Sequence, residues 1–235
     1  MLIVNKLDKS GKPLNELAKN GNSINKIYRN GEVVFQKLKN EEAPSPLKMP
    51  LTFNITSSGT INWTATDASV AKTIEYNLNN TIWKPIISDK TGAKINVSAG
   101  DKIQFRSNNS QYGTSSSSYS TFSGSTAGFE VEGNIMSLIN NANFDTLTTL
   151  QDSYTFYSLF RGCTGLTSAQ NLILPAMTLV NNCYDSMFTD CSSLIAAPVL
   201  PATTLAQGCY GNMFRSCKKL ATAPELPATK LANDC

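Results

Sequence analysis

At 235 residues the chain is longer than a usual single domain, so two or three modules are expected. It holds no histidine, which excludes Ser-His-Asp and Cys-His nucleophile activation, H-E-x-x-H zinc chemistry and every imidazole acid–base step. The net charge of +3 is uneven: residues 1–50 carry 9 Lys/Arg against 5 Asp/Glu and the remainder 11 against 12. With no Arg-rich stripe and no nucleic-acid motif, that N-terminal excess reads as solubility or docking charge rather than nucleic-acid binding.

The N-terminus, M-L-I-V-N-K-L-D-K-S-G-K-P, has three consecutive apolar residues after Met1, short of the apolar region of a secretory signal. No transmembrane run follows. Taken as the true start, this places synthesis and first folding in a cytosol. Residues 1–40 read as a small β-rich module: a strand over Leu2 to Leu7, a break from Gly11 to Pro13, then the hairpin S-I-N-K-I-Y-R-N-G-E-V-V-F-Q-K. The hairpin turn is Asn30-Gly31, the pair best suited to the positive φ angles of a type I′ turn. Residues 41–50, polar and closing at Pro50, read as a semi-rigid linker.

Over residues 51–150 short alternating runs take over. Ile61 and Trp63, Ile74, Tyr76 and Leu78, Ile95 and Val97, Ile103 and Phe105, and Phe129 and Val131 each put apolar side chains on one face of a strand. Turn signals separate them at Ser57-Ser58-Gly59, Asn79-Asn80, Thr91-Gly92 and Ala99-Gly100. The spacing predicts a β-sandwich of about seven or eight strands. Inside it lies S-N-N-S-Q-Y-G-T-S-S-S-S-Y-S-T-F-S-G-S-T-A-G, residues 107–128, which has two readings. One is a flexible Ser-rich loop, since such a composition buries little. The other is a contact loop, with Tyr112, Tyr119 and Phe122 as the binding side chains among adaptable Ser, Gly and Asn.

A block C-Y-x-x-M-F-x-x-C-x-x-L-x-x-A-P-x-L-P-A-T-x-L-A starts at Cys183 and again at Cys209, a period of 26 residues, and the chain reaches Cys235 where a third would open. Thr155 to Cys163 fits the same phase as a degenerate first copy, longer by two residues. A period in this range marks units that bury their apolar faces by stacking. The expected core columns are Phe156/Tyr184/Tyr210, Leu159/Met187/Met213, Phe160/Phe188/Phe214, Cys163/Cys191/Cys217, Leu166/Leu194/Leu220, Leu174/Leu200/Leu226 and Leu179/Leu205/Leu231. Arg161/Thr189/Arg215 and Asn171/Val199/Glu225 are expected to face water. Three copies are about the minimum for a stable array and an array needs a cap, so truncation at Cys235 is the expectation.

These columns over residues 155–235 resemble the BspA-type leucine-rich repeat, A-F-x-x-C-x-x-L-x-x-I-x-L-P-x-x-L. The resemblance implies a short strand near the Leu after the second Cys, lining one face of a right-handed ladder. Pro198 and Pro224 fall inside that strand, so only two or three ladder residues per copy are expected. The fold class is therefore mainly β: a small β-rich module, a sandwich and a repeat solenoid. For the six cysteines, zinc ligation lacks C-x-x-C spacing, disulfides suit an exported chain, and a ladder of buried thiols acting as small apolar fillers is preferred.

The hairpin segment, the sandwich with S-A-G-D-K-I-Q-F-R, and the A-P-x-L-P-A-T copies together resemble proteins of gut Bacteroidales and of their tailed phages, including the crAss-like group. That resemblance implies a component of head or tail fibres or appendages at the virion surface, with no catalytic residues and no cofactor. Its partners would be capsid or tail-platform proteins for residues 1–40, a host-surface protein or glycan for the repeats, and other copies of itself. A bacterial surface adhesin with the same repeats is the alternative, disfavoured by the missing export signal. A glycan-cleaving enzyme would need paired carboxylates. Asp185 and Asp190 are the nearest pair, and both read as solvated loop residues.

Overall fold

The structure, a computed structural model, describes residues 45–235 in full and the backbone of two earlier strands, Lys26–Arg29 (β1) and Glu32–Gln36 (β2). β1 and β2 pair antiparallel with Arg29 opposite Glu32, as the predicted hairpin requires. The strand expected over Leu2 to Leu7 and the Asn30-Gly31 turn lie outside the described residues. The chain divides into two compact units, Met1–Pro44 and Ser45–Cys235.

The second unit already includes the latter half of the expected linker. Pro46–Lys48 forms a short 3-10 turn. It is tied down by the fully buried Asn134, whose backbone N–H donates to Met49 O at 2.8 Å and whose side-chain amide donates to Leu47 O at 3.1 Å. The strands that follow are Leu51–Ser57 (β3), Gly59–Ala65 (β4), Thr73–Leu78 (β5), Lys84–Ile87 (β6), Ala93–Val97 (β7), Lys102–Arg106 (β8), Ser120–Thr121 (β9), Gly128–Asn134 (β10) and Leu166–Ile173 (β11). They form a six-stranded sheet in the order β11-β10-β3-β8-β5-β6 and a three-stranded sheet β7-β4-β9. The strands read from alternation are present, and alternation is why. Leu51, Phe53 and Ile55 on β3, Ile61 and Trp63 on β4, and Ile103 and Phe105 on β8 are all buried, while the residues between them point to the opposite face, where Thr52 and Asn62 are covered as well. Asn79 and Asn80 make the turn after β5 with φ of 54° and 55°, a left-handed conformation that asparagine tolerates.

The repeat region has a different local structure. Each copy opens with overlapping turns whose N–H groups donate three residues back, and every fourth residue is left-handed: Tyr154, Ser158, Gly162; Asn182, Ser186, Asp190; Gly208, Asn212, Ser216. This backbone explains why Gly, Asn and Asp recur at those positions. Copies then stack through alternate N–H groups. Phe156, Ser158, Phe160 and Gly162 donate to Cys183 O, Asp185 O, Met187 O and Thr189 O at 2.8–3.0 Å, and Tyr184, Ser186, Phe188 and Asp190 donate likewise to Cys209 O, Gly211 O, Met213 O and Arg215 O. Rings align with them: Phe160 to Phe188 to Phe214 at 5.4 and 5.7 Å, and Phe156 to Tyr184 to Tyr210 at 5.7 and 5.8 Å, all stacked.

The strand expected after the second Cys is complete only in the first copy, where β11 starts at Leu166. In the second copy one bridge, Ser168 to Ala196, remains before Pro198, and in the third no ladder residue occurs among the described residues. Two or three ladder residues per copy was therefore too many for the later copies. A proline offers no N–H, and Pro198 and Pro224 interrupt the edge just where pairing would extend.

Two further expectations are corrected. There is no boundary between sandwich and repeats. β11 belongs to the first copy and is also the edge strand of the six-stranded sheet, paired parallel to β10, and a single core of buried side chains runs through both. Of the positions expected to face water, Thr189 is buried, its hydroxyl donating to Asn212 O at 2.6 Å, whereas Arg215, Asn171, Val199 and Glu225 are exposed and Arg161 is half-exposed.

Candidate functional site

The Ser-rich stretch packs into the fold, and two of its three aromatic side chains serve the core. Tyr112 and Phe122 are fully buried, which removes both from any binding surface. Phe122 fills the space between the two sheets, with ring centroids 4.9 Å from Phe53, 4.7 Å from Trp63 and 4.9 Å from Phe105. On its other side it stacks on Phe160 at 5.8 Å, while Tyr112 stacks on Phe156 at 6.1 Å. The backbone repeats the inter-copy pattern: Tyr112 N–H donates to Thr155 O at 2.8 Å and Phe122 N–H to Leu159 O at 2.9 Å. Tyr112 and Phe122 thus stand where Phe156 and Phe160 stand in the next layer. The stretch is a layer of the stack, without the repeat's sequence, and it joins the copies to the sandwich. Its two buried aromatics are ten residues apart, against four for Phe156 and Phe160 in the first copy, so neither the period nor the composition reveals it.

The hydroxyl of Tyr112 donates to Leu138 O at 2.8 Å and lies 2.6 Å from Ser107 Oγ; burial pushes its pKa well above the ordinary phenol range. In the repeat core, Phe160, Cys163, Leu166, Phe188, Cys191 and Leu194 are fully buried and Cys217 is buried, while Phe214 and Leu220 are half-buried. Leu226 and Leu231, read as core, are 38% and 70% exposed. No described layer packs on the outer side of that copy, so these leucines have nothing to bury against.

Of the three aromatic side chains in the predicted contact loop, Tyr119 is the one that reaches the surface. It lines an open depression of about 330 Å³ with Thr64, Thr121, Ser123, Arg161, Gly162 and Asp190. Thr64 comes from β4 and Thr121 from β9, Ser123 from the turn after β9, and the turns of the first two copies supply Arg161 and Asp190. Arg161 Nη1 donates to Tyr119 Oη at 3.3 Å, and Arg161 Nε lies 3.8 Å from Asp190 Oδ2, with both side chains about half-exposed. Sequence reading placed Arg161 and Asp190 in solvent separately. Only the stacking of one copy on the next brings them together.

No family model, no curated protein and no solved structure matches the chain.

Asp185 and Asp190 face different partners. Asp185 lies against Gly208 and Gly211 of the third copy, and burial raises its pKa above the ordinary carboxylate value against hydrogen bonds from Ser186 and Asn212; Asp190 faces Arg161 of the first copy. Among the described residues no group of three or more His, Cys, Asp or Glu is placed to hold a metal, and no helix is long and apolar enough to cross a membrane. The six cysteines are free thiols, five of them buried. Each thiol of one column donates to a phenylalanine carbonyl of the preceding layer: Cys163 to Phe122 O at 3.3 Å, Cys191 to Phe160 O at 3.0 Å and Cys217 to Phe188 O at 3.1 Å. Burial raises the pKa of Cys217 from 9.0 to about 11 and keeps the deeper thiols protonated still further.

An aromatic disulfide reagent under native conditions is accordingly expected to modify only Cys235 rapidly, whereas the denatured chain should react at every cysteine; fast native reaction at several positions would contradict the burial. The raised thiol pKa values also set a sign for alkali. Their contribution to stability is complete below the unfolded thiol pKa, and it is lost as pH rises through the folded values. Stability should fall from about pH 9 upward.

Proposed function

We propose that the chain is a structural and attachment component of a phage particle surface, a head or tail fibre or appendage. In this reading its three copies form a short leucine-rich-repeat solenoid of the BspA type and present variable side chains to a host surface. The observation that carries the reading is the continuity of core from sandwich to repeats through Tyr112 and Phe122. An attachment element needs a recognition face held on a stiff base, and a stack whose first layer is wedged between two sheets supplies one. The repeat positions that vary, such as Asn171, Val199 and Glu225, are exposed, as recognition by side-chain variation requires. The separate compactness of Met1–Pro44 suits a docking module that engages capsid or tail platform, with oligomerisation following from the symmetry of that platform.

Deleting residues 1–44 is the direct test. The remaining unit keeps its own core and should stay folded, with an unchanged thermal transition, yet be missing from purified particles analysed by mass spectrometry. Normal incorporation of the truncated protein would overturn the docking role. Recovery of the full chain in a bacterial envelope fraction and not in particles would favour an adhesin instead.

A further inference from the structure

We propose that the depression beside Tyr119 binds a neutral hexopyranose, either free or at the end of a glycan. A pyranose offers two things to a protein: a face of C–H groups that packs on an aromatic ring, and adjacent hydroxyls that each donate and accept. The depression is furnished for both. Tyr119 is half-exposed and held in place: its N–H donates to Thr66 Oγ1 at 2.9 Å, its carbonyl accepts from Thr66 N–H at 2.9 Å, and its ring packs edge-on against Tyr157 at 5.3 Å. Little ordering is left to be done when a ligand stacks on it.

Arg161 and Asp190 provide the polar half. A guanidinium has five N–H donors and a carboxylate only acceptors. Of those donors one reaches Tyr119 Oη, and the 3.8 Å approach of Nε to Asp190 Oδ2 is an ion pair too long for a hydrogen bond. The pair therefore leaves donors and acceptors unused side by side, the arrangement that vicinal hydroxyls satisfy. Because the two charges cancel, the depression favours a neutral sugar over an acidic one. The hydroxyl of Thr64 donates to Asp89 O at 2.8 Å, which leaves its lone pairs to accept, while the buried Thr121 hydroxyl is engaged on both sides, donating to Leu159 O at 3.0 Å and accepting from Ser123 N–H at 3.2 Å. At about 330 Å³ the space lies at the small end of ligand sites, suited to one sugar ring.

Gly162 keeps it open. Its φ is +70°, and an added Cβ would come within 3.2 Å of Ser123 Oγ. The equivalent positions in later copies are Asp190 and Ser216, and Thr189 replaces Arg161 as a buried residue. The site is thus formed once, where the first copy meets the sandwich, and is not repeated along the stack.

This inference deepens the attachment reading and rests on it for its biological setting, but its test needs no particle, so each can fail alone. The full chain, labelled with nitrogen-15, is titrated with D-glucose, D-galactose, D-mannose and N-acetyl-D-glucosamine, and with D-glucuronate as the acidic comparator. At least one neutral sugar is expected to give saturable shifts at the amides of Tyr119, Gly162 and Asp190. Arg161→Ala and Asp190→Asn, both at half-exposed side chains, should keep a dispersed spectrum and weaken binding by about tenfold or more. Tyr119→Phe should retain most of it, because the ring face survives. No saturable shift with any neutral sugar, binding of glucuronate alone, or unaltered binding in both Arg161→Ala and Asp190→Asn overturns the proposal.

Discussion

Replacing Phe122 by alanine is expected to destabilise the Ser45–Cys235 unit by about 3–5 kcal/mol, the cost of removing a fully buried aromatic ring and leaving a cavity. Few single side chains here touch so much. The ring meets Phe53 and Phe105 of one sheet, Trp63 of the other and Phe160 of the first copy, so its loss loosens three elements together. A residue of an exposed Ser-rich loop would give a change within about 0.5 kcal/mol. Urea unfolding distinguishes the two, with the fluorescence of buried Trp63 reporting the sandwich and the reactivity of buried Cys191 reporting the stack. Both signals should shift to lower urea by the same amount, because the core is shared. A midpoint that stays put, or two transitions that separate, would remove the joining role given to this residue.

Gly165→Ala should cost about 3 kcal/mol or more, for a different reason. A Cβ at that position would lie 2.1 Å from Ala127 O and 3.1 Å from Ala127 C, both backbone atoms that have no rotamer to escape into. The glycine sits where the chain enters β11, its carbonyl accepting the Phe129 N–H at 3.0 Å, and the next residue, Leu166, is paired with Phe129. Forcing the two segments apart breaks the parallel pairing of β10 with β11, the seam between sandwich and first copy. Gly100→Ala is the comparison, since that Cβ would meet nothing within 4 Å and only the φ of +91° opposes it. There the loss should be about 1–2 kcal/mol. Equal effects from the two substitutions would mean that backbone crowding at Gly165 is not what the position resists. Amide exchange at Phe129 and Leu166 locates the damage directly.

Much of the fold was legible because its signals are local. The alternation of Ile61 with Trp63 or Ile103 with Phe105 needs only the two-residue period of a strand, and Asn79-Asn80 carries its turn in its own side chains. The columns Phe160/Phe188/Phe214 and Cys163/Cys191/Cys217 could be aligned because each recurs at the same place in a block. The left-handed positions are equally present in the sequence, as Gly162, Asn182, Asp190, Gly208 and Asn212, but they are spread over different residue types and so form no column of one residue.

The candidate site was legible only in fragments. Tyr119 stood in the predicted contact loop together with Tyr112 and Phe122, and composition cannot tell an aromatic that binds from one that fills a core. Arg161 and Asp190 come from different copies, and no pattern within one copy says that the two will meet.

The amino-acid sequence by itself determined the strands of the sandwich, the register of the repeats and most of the side chains that register buries, Leu226, Leu231 and Thr189 being the exceptions, since all three follow from short-range periodicity. The tertiary structure alone decided that the Ser-rich stretch is a layer of the stack, that sandwich and repeats share one core, and that Tyr119, Arg161 and Asp190 line one depression. Those outcomes depend on which distant surfaces stack. Stacking is settled by the total apolar area and hydrogen bonding that the whole unit can satisfy at once, a quantity no local window of sequence contains.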